Sequence, residues 1–376
     1  MEEVVSVVID NGSRMMKAGF GGDDAPRAVF PSVVGRPRHH GANLGQYQKL
    51  LYLGEEAVRM SGILNLTYPI ERGEIIAGNQ FEDIEKLWQH TFYDQLKVAP
   101  EEHSVVLTES PLNPKEKREK MAEIMLELFN TLSLKLSVGS VLALIGSGRS
   151  TGVVLECGES VCHSVPVYEG HHLPHAVGRF QIGGRELSNF LLKMLTELGY
   201  SFSCYSQAKE CGIKMKERLG YIAFEFEKEM QVGCEIIERT YELPDEQIIT
   251  IGNERFICAE PLFQPSIIGL ECEGIHKITF DSVIKCDEEL REQLFSNTLL
   301  CGGSSMFNGF QERLEKELNL LTPSHTKVKV FTPENRNYSA WIGGSILSTL
   351  STFQQMCVTK QEYEEFGNKI VHRKSF

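Results

Sequence analysis

The sequence predicts an α/β fold that is built twice. Short apolar runs typical of strands alternate with amphipathic segments typical of helices. A pattern of strand, acid, glycine and second strand near the start of the chain returns 146 positions later, with the acid moving from Asp10 to Glu156. A chain of 376 residues is long enough for two domains with separate cores. We therefore expect a duplicated α/β domain.

Composition narrows the class of protein. Hydrophobic residues at 41% and charged residues at 24% are ordinary for a soluble globular chain. The formal net charge of −13 argues against nucleic acid or an anionic membrane as a partner. No apolar run reaches the roughly 18 residues of a membrane span, and the start Met1–Glu3 lacks a basic secretory signal. The ten cysteines form no CxxC pair and indicate reduced thiols, so we expect a cytoplasmic protein.

The first repeat of the pattern predicts a β-hairpin with an acid at its mouth. The β-branched run Val4–Ile9 indicates a buried strand, which ends at Asp10 before the turn Asn11–Ser13 and a second strand, Met15–Phe20. Glycine and serine let backbone N–H groups approach an oxyanion closely, whereas a carboxylate repels a bare anion. The hairpin therefore suits a phosphate that arrives with a metal ion, and an ordinary turn is the alternative.

The next part of the chain predicts a basic loop, two helices around a strand, and a third helix. The loop Gly35–Gly45 contains His39 and His40, which we interpret as solvated because no third metal ligand lies near them in the sequence. The helices are predicted at Glu82–Leu96 (inward Ile84, Leu87, Trp88 and Phe92), Pro114–Phe129 (inward Met121, Ile124, Met125 and Leu128) and Ser137–Gly146 (weakened by Gly139), and the strand at Ser104–Thr108.

The second repeat, Thr151–Gly170, again predicts a strand, an acid, a glycine and a second strand. Here the acid is Glu156, the glycine is Gly158 and the small hydroxyl is Ser160. Two such hairpins could hold a polyphosphate, each supplying N–H donors and an acid for the water shell of Mg²⁺. The repetition therefore favours the phosphate interpretation over two ordinary turns.

The last part of the chain predicts further helices and strands. Residues 231–240 form no clear element, and Leu262–Gly274 is an apolar loop that either crosses the core or lies exposed to a partner. A strand at Leu299–Gly303 breaks at Gly302 and Gly303, which is a place for a nucleoside once phosphate hairpins precede it. The other predicted elements are helices at Arg185–Leu198 (inward Leu187, Phe190, Leu191, Met194, Leu195 and Leu198), Ala208–Tyr221 and Gly309–Leu320, and a hairpin at Tyr241–Phe256 that turns at Pro244 and Asp245.

Several long blocks are similar to actin, and they span nearly the whole chain. They are IDNGS, KAGFGGDDAPRAVFPSVVGRPR, TYPIERG, LTESPLNPKEKREKM, VPVYEG, ELPDEQIITIGNERF, CGGSSMFNG, WIGGSILSTLSTFQQM and IVHRKSF. The resemblance to the actin family implies two RNase H-like domains with smaller inserts that close on ATP or ADP and on Mg²⁺ or Ca²⁺. It implies subdomain 1 at 1–31, 73–146 and 339–376, subdomain 2 at 32–72, subdomain 3 at 147–182 and 271–338, and subdomain 4 at 183–270.

The resemblance also implies roles for individual residues. Asp10 and Glu156 would hold the waters of the metal ion, Glu159 would approach the ribose, and His163 would lie near the attacking water. Lys17 would reach the terminal phosphates, which the turn after Asp10 would face. The implied nucleotide-binding set is Asn11, Gly12, Ser13, Arg14, Met15, Lys17, Gly158, Glu159, Ser160, Gly184, Lys216, Glu217, Gly302, Gly303, Ser304, Met306 and Asn337.

The chain departs from the family pattern at positions that matter for chemistry. Gly139 stands where the family has the glutamine that orients the attacking water, so we expect ATP hydrolysis to be slow or lost. Glu156 and Glu159 replace aspartates, and each is longer by roughly 1.5 Å. Ser160 replaces a glycine. Arg14 also replaces a glycine and would be strained if its turn needed a left-handed backbone.

Surface positions differ from the family as well. Asn43 and Gln46 stand where methionines usually pack into a neighbouring subunit. About three residues are extra between Gly73 and Phe81, and about two are missing near Gly233, by comparison with the family pattern. Asn337 replaces a lysine beside the adenine, Ser375 replaces a cysteine, and the acidic start is reduced to Glu2 and Glu3. A divergent actin or actin-related protein is the expectation.

These observations lead to one main functional hypothesis and three alternatives. The main hypothesis is an ATP-binding cytoskeletal protein of the cytoplasm, whose partners are itself or conventional actin in filaments and actin-binding proteins, without nucleic acid or membrane. The first alternative is a non-polymerising actin-related subunit of a larger complex. The other two are a sugar or acetate kinase on the same scaffold and an Hsp70-like chaperone, which is disfavoured because no peptide-binding domain follows.

Overall fold

The computed structural model describes residues 5–38, 49–76, 80–201, 205–243 and 246–374. By its internal contacts the chain divides into two compact units. The first comprises Met1–Ser150, Glu169–Pro174 and Tyr338–Phe376, and the second comprises Thr151–Tyr168 and His175–Asn337. Predictions that lie outside the described residues concern His39, His40, Asn43, Gln46, the turn at Pro244 and Asp245, Glu2, Glu3, Ser375 and part of the insert after Gly73.

Strands and helices alternate through most of the chain, as expected for an α/β protein. The strands are β1 Val7–Asn11, β2 Met15–Phe20, β3 Ala28–Pro31, β4 Val34–Pro37, β5 Tyr52–Leu53, β6 Leu64–Thr67, β7 Ile70–Glu71, β8 Glu74–Ile75, β9 Ser104–Glu109, β10 Ser133–Val138, β11 Gly152–Cys157, β12 Cys162–Tyr168, β13 His171–His172, β14 Gly178–Phe180, β15 Arg239–Glu242, β16 Ile248–Ile251, β17 Thr298–Cys301, β18 Val330–Phe331 and β19 Val358–Thr359.

The α-helices are α1 Gly54–Arg59, α2 Gln80–Gln89, α3 Lys115–Glu123, α4 Gly139–Gly146, α5 Gly184–Glu197, α6 Tyr205–Leu219, α7 Phe226–Glu229, α8 Cys234–Ile237, α9 Glu254–Ile257, α10 Ile275–Ile284, α11 Glu288–Ser296, α12 Phe310–Leu321, α13 Ser339–Ser348, α14 Phe353–Met356, α15 Lys360–Phe366 and α16 Val371–Lys374. Two π-helical segments, His90–Leu96 and Ile124–Leu128, extend α2 and α3. None of the helices in the described ranges combines the length and apolarity that crossing a membrane requires.

The main sheet of the first unit has the order β19-β10-β9-β1-β2-β3. Its central strand, β1, is antiparallel to β2 and parallel to β9, which in turn is parallel to β10. Ile9 belongs to one apolar cluster with Trp88 and Leu107, whereas its neighbour Val8 belongs to another with Trp341. Because alternate residues of β1 are buried on opposite faces, helices cover both sides of the sheet, and Asp10 lies at the carboxyl end of its central strand.

The sheet of the second unit repeats the arrangement of the first. Its strands β18, β17, β11 and β12 pair in that order, and β14 pairs with β12. The strand β11 is antiparallel to β12 and parallel to β17, and β17 is parallel to β18. The strands β11, β12, β14, β17 and β18 therefore correspond to β1, β2, β3, β9 and β10. This correspondence confirms the predicted duplicated α/β fold.

Smaller sheets and clusters complete each unit. In the first unit, β5, β4 and β6 form a three-stranded sheet, and β7 pairs with β8. In the second, the hairpin of β15 and β16 packs on α5 and α6 around Leu191, Leu195, Met215, Ile249 and Ile251. The predicted helices Arg185–Leu198 and Gly309–Leu320 correspond to α5 and α12 within about one residue.

Several predicted boundaries were wrong, each for a physical reason. Ser137 and Val138 belong to β10, which pairs with β9 as far as Glu109, so Gly139 begins α4 and is not an interior helix residue. Leu128 is 57% exposed because it ends a π-helical segment, whose wider turn moves the apolar stripe. Leu198 is 57% exposed because it follows the last residue of α5.

Two segments without a clear prediction are ordered by pairing and burial. Residues 231–240 contain α8 and the start of β15, which is held by pairing with β16. The apolar segment Leu262–Gly274 is buried in its first part and exposed in its second. Its first part is buried through Leu262, Phe263 and Pro265, and residues 269–273 are exposed.

Candidate functional site

The turn of the first hairpin is closed too tightly for a side chain at Gly12. A Cβ there would lie 2.3 Å from the carbonyl oxygen of Met15, which is closer than real contacts allow. Ser32 braces the turn, because its hydroxyl donates to the Gly12 carbonyl at 2.7 Å and its N–H donates to the Arg14 carbonyl at 2.8 Å. Ser13 is half-buried in the same turn. The tight turn from Gly12 to Met15 is called the first cradle, and its shape depends on glycine.

Arg14 does not have the strained backbone that was considered for it. The non-glycine residues with positive φ in the described ranges are Arg72, Lys97, Leu112, Asn130, Glu169 and Glu246, and Arg14 is not among them. The left-handed turn was therefore the wrong expectation, and replacing Arg14 with glycine would relieve no such strain.

The carboxylate of Asp10 is held at both of its oxygens. Lys17, its cross-strand neighbour, donates from Nζ to Oδ2 at 2.7 Å, and Thr108 donates from its hydroxyl to Oδ1 at 2.9 Å. The side chains of Asp10 and Lys17 are only 11% and 17% exposed. A carboxylate oxygen has two lone-pair sites, so each oxygen can accept a further hydrogen bond, for example from a metal-bound water.

Asn11 forms hydrogen bonds with its backbone N–H and with both polar atoms of its side chain. Its N–H donates to the Thr108 hydroxyl at 2.8 Å, and its side-chain amide donates to the Thr108 carbonyl at 3.0 Å. The indole N–H of Trp88 donates to the Asn11 Oδ1 at 2.9 Å. Asn11 therefore braces the hairpin between β9 and α2.

The second hairpin has the same cradle with different side chains around it. Gly158 donates its N–H to the Val161 carbonyl at 3.0 Å, and a Cβ at Gly158 would lie 2.9 Å from that oxygen. Both residues stand 146 positions after Gly12 and Met15. Glu156 lies opposite His163 across the strands, as Asp10 lies opposite Lys17. The repeated close approach extends the duplication to the geometry of the two turns.

Three buried cysteines lie next to the second cradle, on strands β11, β12 and β17. Cys157 and Cys162 face each other across β11 and β12, and Cys301 lies beside Glu156 on the parallel strand β17. All three are at most 2% exposed. The pKa of the Cys157 thiol is raised well above its ordinary value. The larger cause is a hydrogen bond with Cys162, and the second cause is burial. The Cys157 thiol therefore stays protonated at neutral pH.

Five of the predicted residues of the second unit converge on the start of α5. Gly184, the first residue of that helix, donates its N–H to the Gly158 carbonyl at 3.1 Å. The buried Lys216 donates to the Gly184 carbonyl at 2.6 Å, and Ser304 donates to the Gly158 carbonyl at 2.8 Å. A Cβ at Gly184 would lie 2.5 Å from both Glu159 Oε2 and Ser304 Oγ and 2.9 Å from Lys216 Nζ. The polar side chains thus surround a bare glycine backbone.

The first glycine after β17, Gly302, is also fixed by close backbone contact. Gly302 has φ +94, and a Cβ there would lie 2.3 Å from the Cys157 carbonyl oxygen. Its N–H donates to the carbonyl of Arg336 at 2.9 Å, which places Asn337 next along the chain. Met306 is 42% exposed and Glu217 is exposed on α6, so both lie outside the buried cluster around Gly184.

Gly139 lies at the same edge of the first sheet as Asp10. It follows Val138, which pairs with Glu109 at the end of β9, one residue beyond Thr108. The carboxyl ends of parallel strands meet at one edge, where ligands of open α/β sheets bind. Glycine brings no side chain to that edge, and the next residue, Ser140, is fully buried.

Thr108 and Trp88 are site residues that sequence reasoning missed. Thr108 ends the predicted strand Ser104–Thr108, and a parallel pairing of that strand with β1 would have placed it beside Asp10. Trp88 was predicted only as part of an apolar stripe, yet its N–H also needs a partner when buried. Two signals could have identified these residues: the position of Thr108 at the end of a strand, and the N–H of the buried Trp88 indole, which needs an acceptor.

A comparison with models of known protein families identifies the family to which this duplicated fold belongs. The family model described as Actin matches residues 1–376, which is the whole chain. The match agrees with the similar blocks in the sequence and with the two corresponding sheets. The chain belongs to the actin family.

Proposed function

We propose that this chain binds ATP or ADP with a divalent cation, forms or associates with actin-type filaments, and hydrolyses ATP slowly or not at all. The observation that carries the proposal is the pair of cradles at Gly12 and Gly158. Each follows an acid at the end of a central strand, and each excludes a side chain by backbone contact. Family membership supports the same ligand class, because actin-family proteins generally bind nucleotide and a divalent cation.

The two cradles supply the phosphate contacts in this proposal. Backbone N–H groups of the turn residues that follow Gly12 and Gly158 bind phosphate oxygens, as nests of successive N–H groups do. Lys17 adds a positive charge to the first cradle, and its bond to Asp10 keeps the ammonium in place. Arg14 stands in the same turn and adds a guanidinium near the phosphates.

The cation is held through water by Asp10 and Glu156. Among the described residues no group of three or more acidic, histidine or cysteine side chains is arranged to bind a metal directly. Single carboxylates of this kind suit Mg²⁺, which usually keeps several of its waters and takes further ligands from substrate phosphates. The cation neutralises charge on the phosphates, and Asp10 is oriented for this task by Lys17 and Thr108.

The cluster around Gly184 is the proposed nucleoside site. Gly184 and Gly302 allow segments of the protein to approach each other closely, and Glu159 and Lys216 provide an acceptor and a donor beside Gly184. The remaining residues proposed for this site are Glu217, Gly303, Ser304, Met306 and Asn337.

Slow hydrolysis follows from the absence of a side chain at Gly139. Phosphoryl transfer to water needs a group that orients the attacking water. His163 is buried opposite Glu156 and is the other candidate to contact that water, but it belongs to the second hairpin and not to the edge where Gly139 lies. The proposed defect is therefore local and can be repaired by a single substitution.

The test is a comparison of the purified chain with its Gly139→Gln and Gly139→Ala variants. Binding is measured with a fluorescent ATP analogue, and phosphate release is measured under salt and Mg²⁺ conditions that favour assembly. We expect all three proteins to bind the analogue and only Gly139→Gln to release phosphate faster, because Ala changes the backbone propensity without adding an amide. Rapid release of one phosphate per subunit from the unmodified chain would contradict the slow-hydrolysis proposal.

Sedimentation in the same buffer separates the proposed filament role from its alternatives. Pelleting alone or together with conventional actin supports a cytoplasmic, cytoskeletal protein with actin-binding partners. A chain that binds ATP and never pellets supports a non-polymerising subunit of a larger complex. ATP consumption that depends on an added sugar or acetate would instead support a kinase.

A further inference from the structure

The hydroxyl of Thr108 has a fixed direction. It accepts a hydrogen bond from the Asn11 N–H at 2.8 Å and lies 2.9 Å from Asp10 Oδ1. A backbone N–H can only donate and a carboxylate can only accept, so the single hydroxyl proton must point at Asp10. Thr108 is 4% exposed, which removes competition from water. Because Thr108 belongs to β9, this hydrogen bond fixes one carboxylate oxygen of Asp10 relative to β9.

The other oxygen of Asp10 is fixed independently. Lys17 donates to Oδ2 at 2.7 Å from β2, on the opposite side of β1 from β9. With one bond at each oxygen, the plane of the carboxylate is determined and cannot rotate about its terminal bond without losing a charge-assisted hydrogen bond. The lone pairs that remain therefore have a set direction.

The second hairpin has different residues at the corresponding positions. Ile9 pairs with Leu107 and Leu155 pairs with Leu300, so Thr108 corresponds to Cys301 and Asp10 to Glu156. A thiol is a weak donor compared with a hydroxyl, and Glu156 has one more rotatable bond than aspartate. Cys301 is therefore the matched position at which to test whether a hydroxyl is needed.

We propose that Thr108 is a positioning residue that acts through Asp10 and sets how strongly Asp10 holds the cation's water shell. This inference rests on the proposed function and adds a residue to it. Partners that orient a metal's ligands typically change metal affinity by about 10–100-fold when removed. A thiol is a weaker donor than a hydroxyl, so we expect the removal of Cys301 to change metal affinity less.

The test measures Mn²⁺, a spectroscopic substitute for Mg²⁺, by electron paramagnetic resonance on the full chain with ADP bound. Thr108→Val keeps the shape and removes the hydroxyl, Thr108→Ser keeps the hydroxyl, and Cys301→Val is the matched change in the second unit. We expect the Mn²⁺ dissociation constant to rise at least about 10-fold in Thr108→Val and to stay within about threefold in the other two.

Two further measurements separate positioning from a structural role. Nucleotide affinity in EDTA and the thermal midpoint without ligand report the fold, and Thr108→Ser must restore Mn²⁺ affinity if the hydroxyl is responsible. If Thr108→Val does not fold, Thr108→Cys takes its place, with an expected rise of several-fold. An unchanged Mn²⁺ dissociation constant in a folded variant, or no rescue by serine, overturns the inference. Failure of the unmodified chain to bind ADP overturns the proposed function itself.

Discussion

The two hairpins share a backbone and differ in the side chains that hold it. At Gly12 and Gly158 the same close approach to the carbonyl three residues later excludes a side chain. Around the first turn the supporting groups are oxygen and nitrogen atoms, with Asp10 bonded to Lys17 and Thr108. Around the second they include the thiols of Cys157, Cys162 and Cys301. Duplication has kept the cradle, and the two copies have diverged in its support.

The difference has an energetic meaning. Hydrogen bonds to a charged group contribute about 1.5–3 kcal/mol each, whereas thiols are weak donors that behave mainly as small apolar groups. The first hairpin therefore contains directional bonds to a charged group, and the second buries sulfur atoms beside its turn. A substitution that removes a partner of Asp10 should damage the first hairpin, and one that adds bulk to a cradle should damage the hairpin that contains it.

The largest expected effect comes from adding a methyl group to each cradle. Gly12→Ala places Cβ 2.3 Å from a backbone oxygen, and Gly158→Ala places it 2.9 Å away. Since backbone atoms cannot move aside cheaply, we expect losses of roughly 3 kcal/mol for Gly12→Ala and about 1 kcal/mol for Gly158→Ala. Both variants should also lose affinity for the ATP analogue. Urea unfolding midpoints and analogue titrations measure the two effects.

Each unit offers a glycine that serves as a control for this comparison. An added Cβ would meet nothing within 4 Å at Gly62 in the first unit or at Gly233 in the second. The variants Gly62→Ala and Gly233→Ala should therefore change the unfolding midpoint little and leave analogue binding intact. Equal losses at Gly12 and Gly158 would show that the first cradle is no tighter than the second.

The next effect concerns the ion pair of the first hairpin. Lys17→Met leaves the mostly buried Asp10 without its cation, and we expect a loss of about 2 kcal/mol, between the values typical of exposed and buried pairs. Phosphate affinity should fall as well. The matched control is Lys49→Met, because the pair of Lys49 and Glu56 is 62% and 47% exposed and its loss should be small.

A double substitution then identifies the origin of the loss. If the cost of Lys17→Met is the unpaired carboxylate, adding Asp10→Asn should recover part of the stability, because a neutral amide needs no cation. Chemical unfolding of the single and double variants provides the comparison. A double variant that is less stable than Lys17→Met alone would mean that Asp10 contributes mainly through Thr108.

The features of the two hairpins that depend on adjacent residues could be predicted from the sequence. A β-branched run, an acid and a glycine turn indicate a hairpin from adjacent residues alone, and their recurrence after 146 positions indicated the duplication. The structure confirms both hairpins as β1–β2 and β11–β12. Local patterns were sufficient because hairpins pair neighbouring segments.

The parts that sequence reasoning missed depend on distant segments. Thr108 reaches Asp10 across 98 positions and Trp88 reaches Asn11 across 77 positions, so each contact requires the register of a sheet or the docking of a helix. Gly139 was predicted inside a helix because its neighbours form one apolar run. Pairing of β10 with β9 ends the strand at Val138 and places Gly139 at the edge where Asp10 lies.

The smallest expected effect separates the bracing of Asn11 from general packing, and it uses the two tryptophans of the chain. Trp88→Phe removes the donor to Asn11 Oδ1, and Trp341→Phe removes a donor to the Val8 carbonyl at 3.1 Å. Both indoles are fully buried, so each variant should lose about 1 kcal/mol from a lost hydrogen bond. Only Trp88→Phe should also weaken binding of the ATP analogue, because Asn11 adjoins the Gly12 cradle and Val8 lies two residues before Asp10. Parallel urea unfolding and analogue titration of the two variants measure both effects. Equal analogue affinities would show that Asn11 stabilises the unit without shaping the cradle.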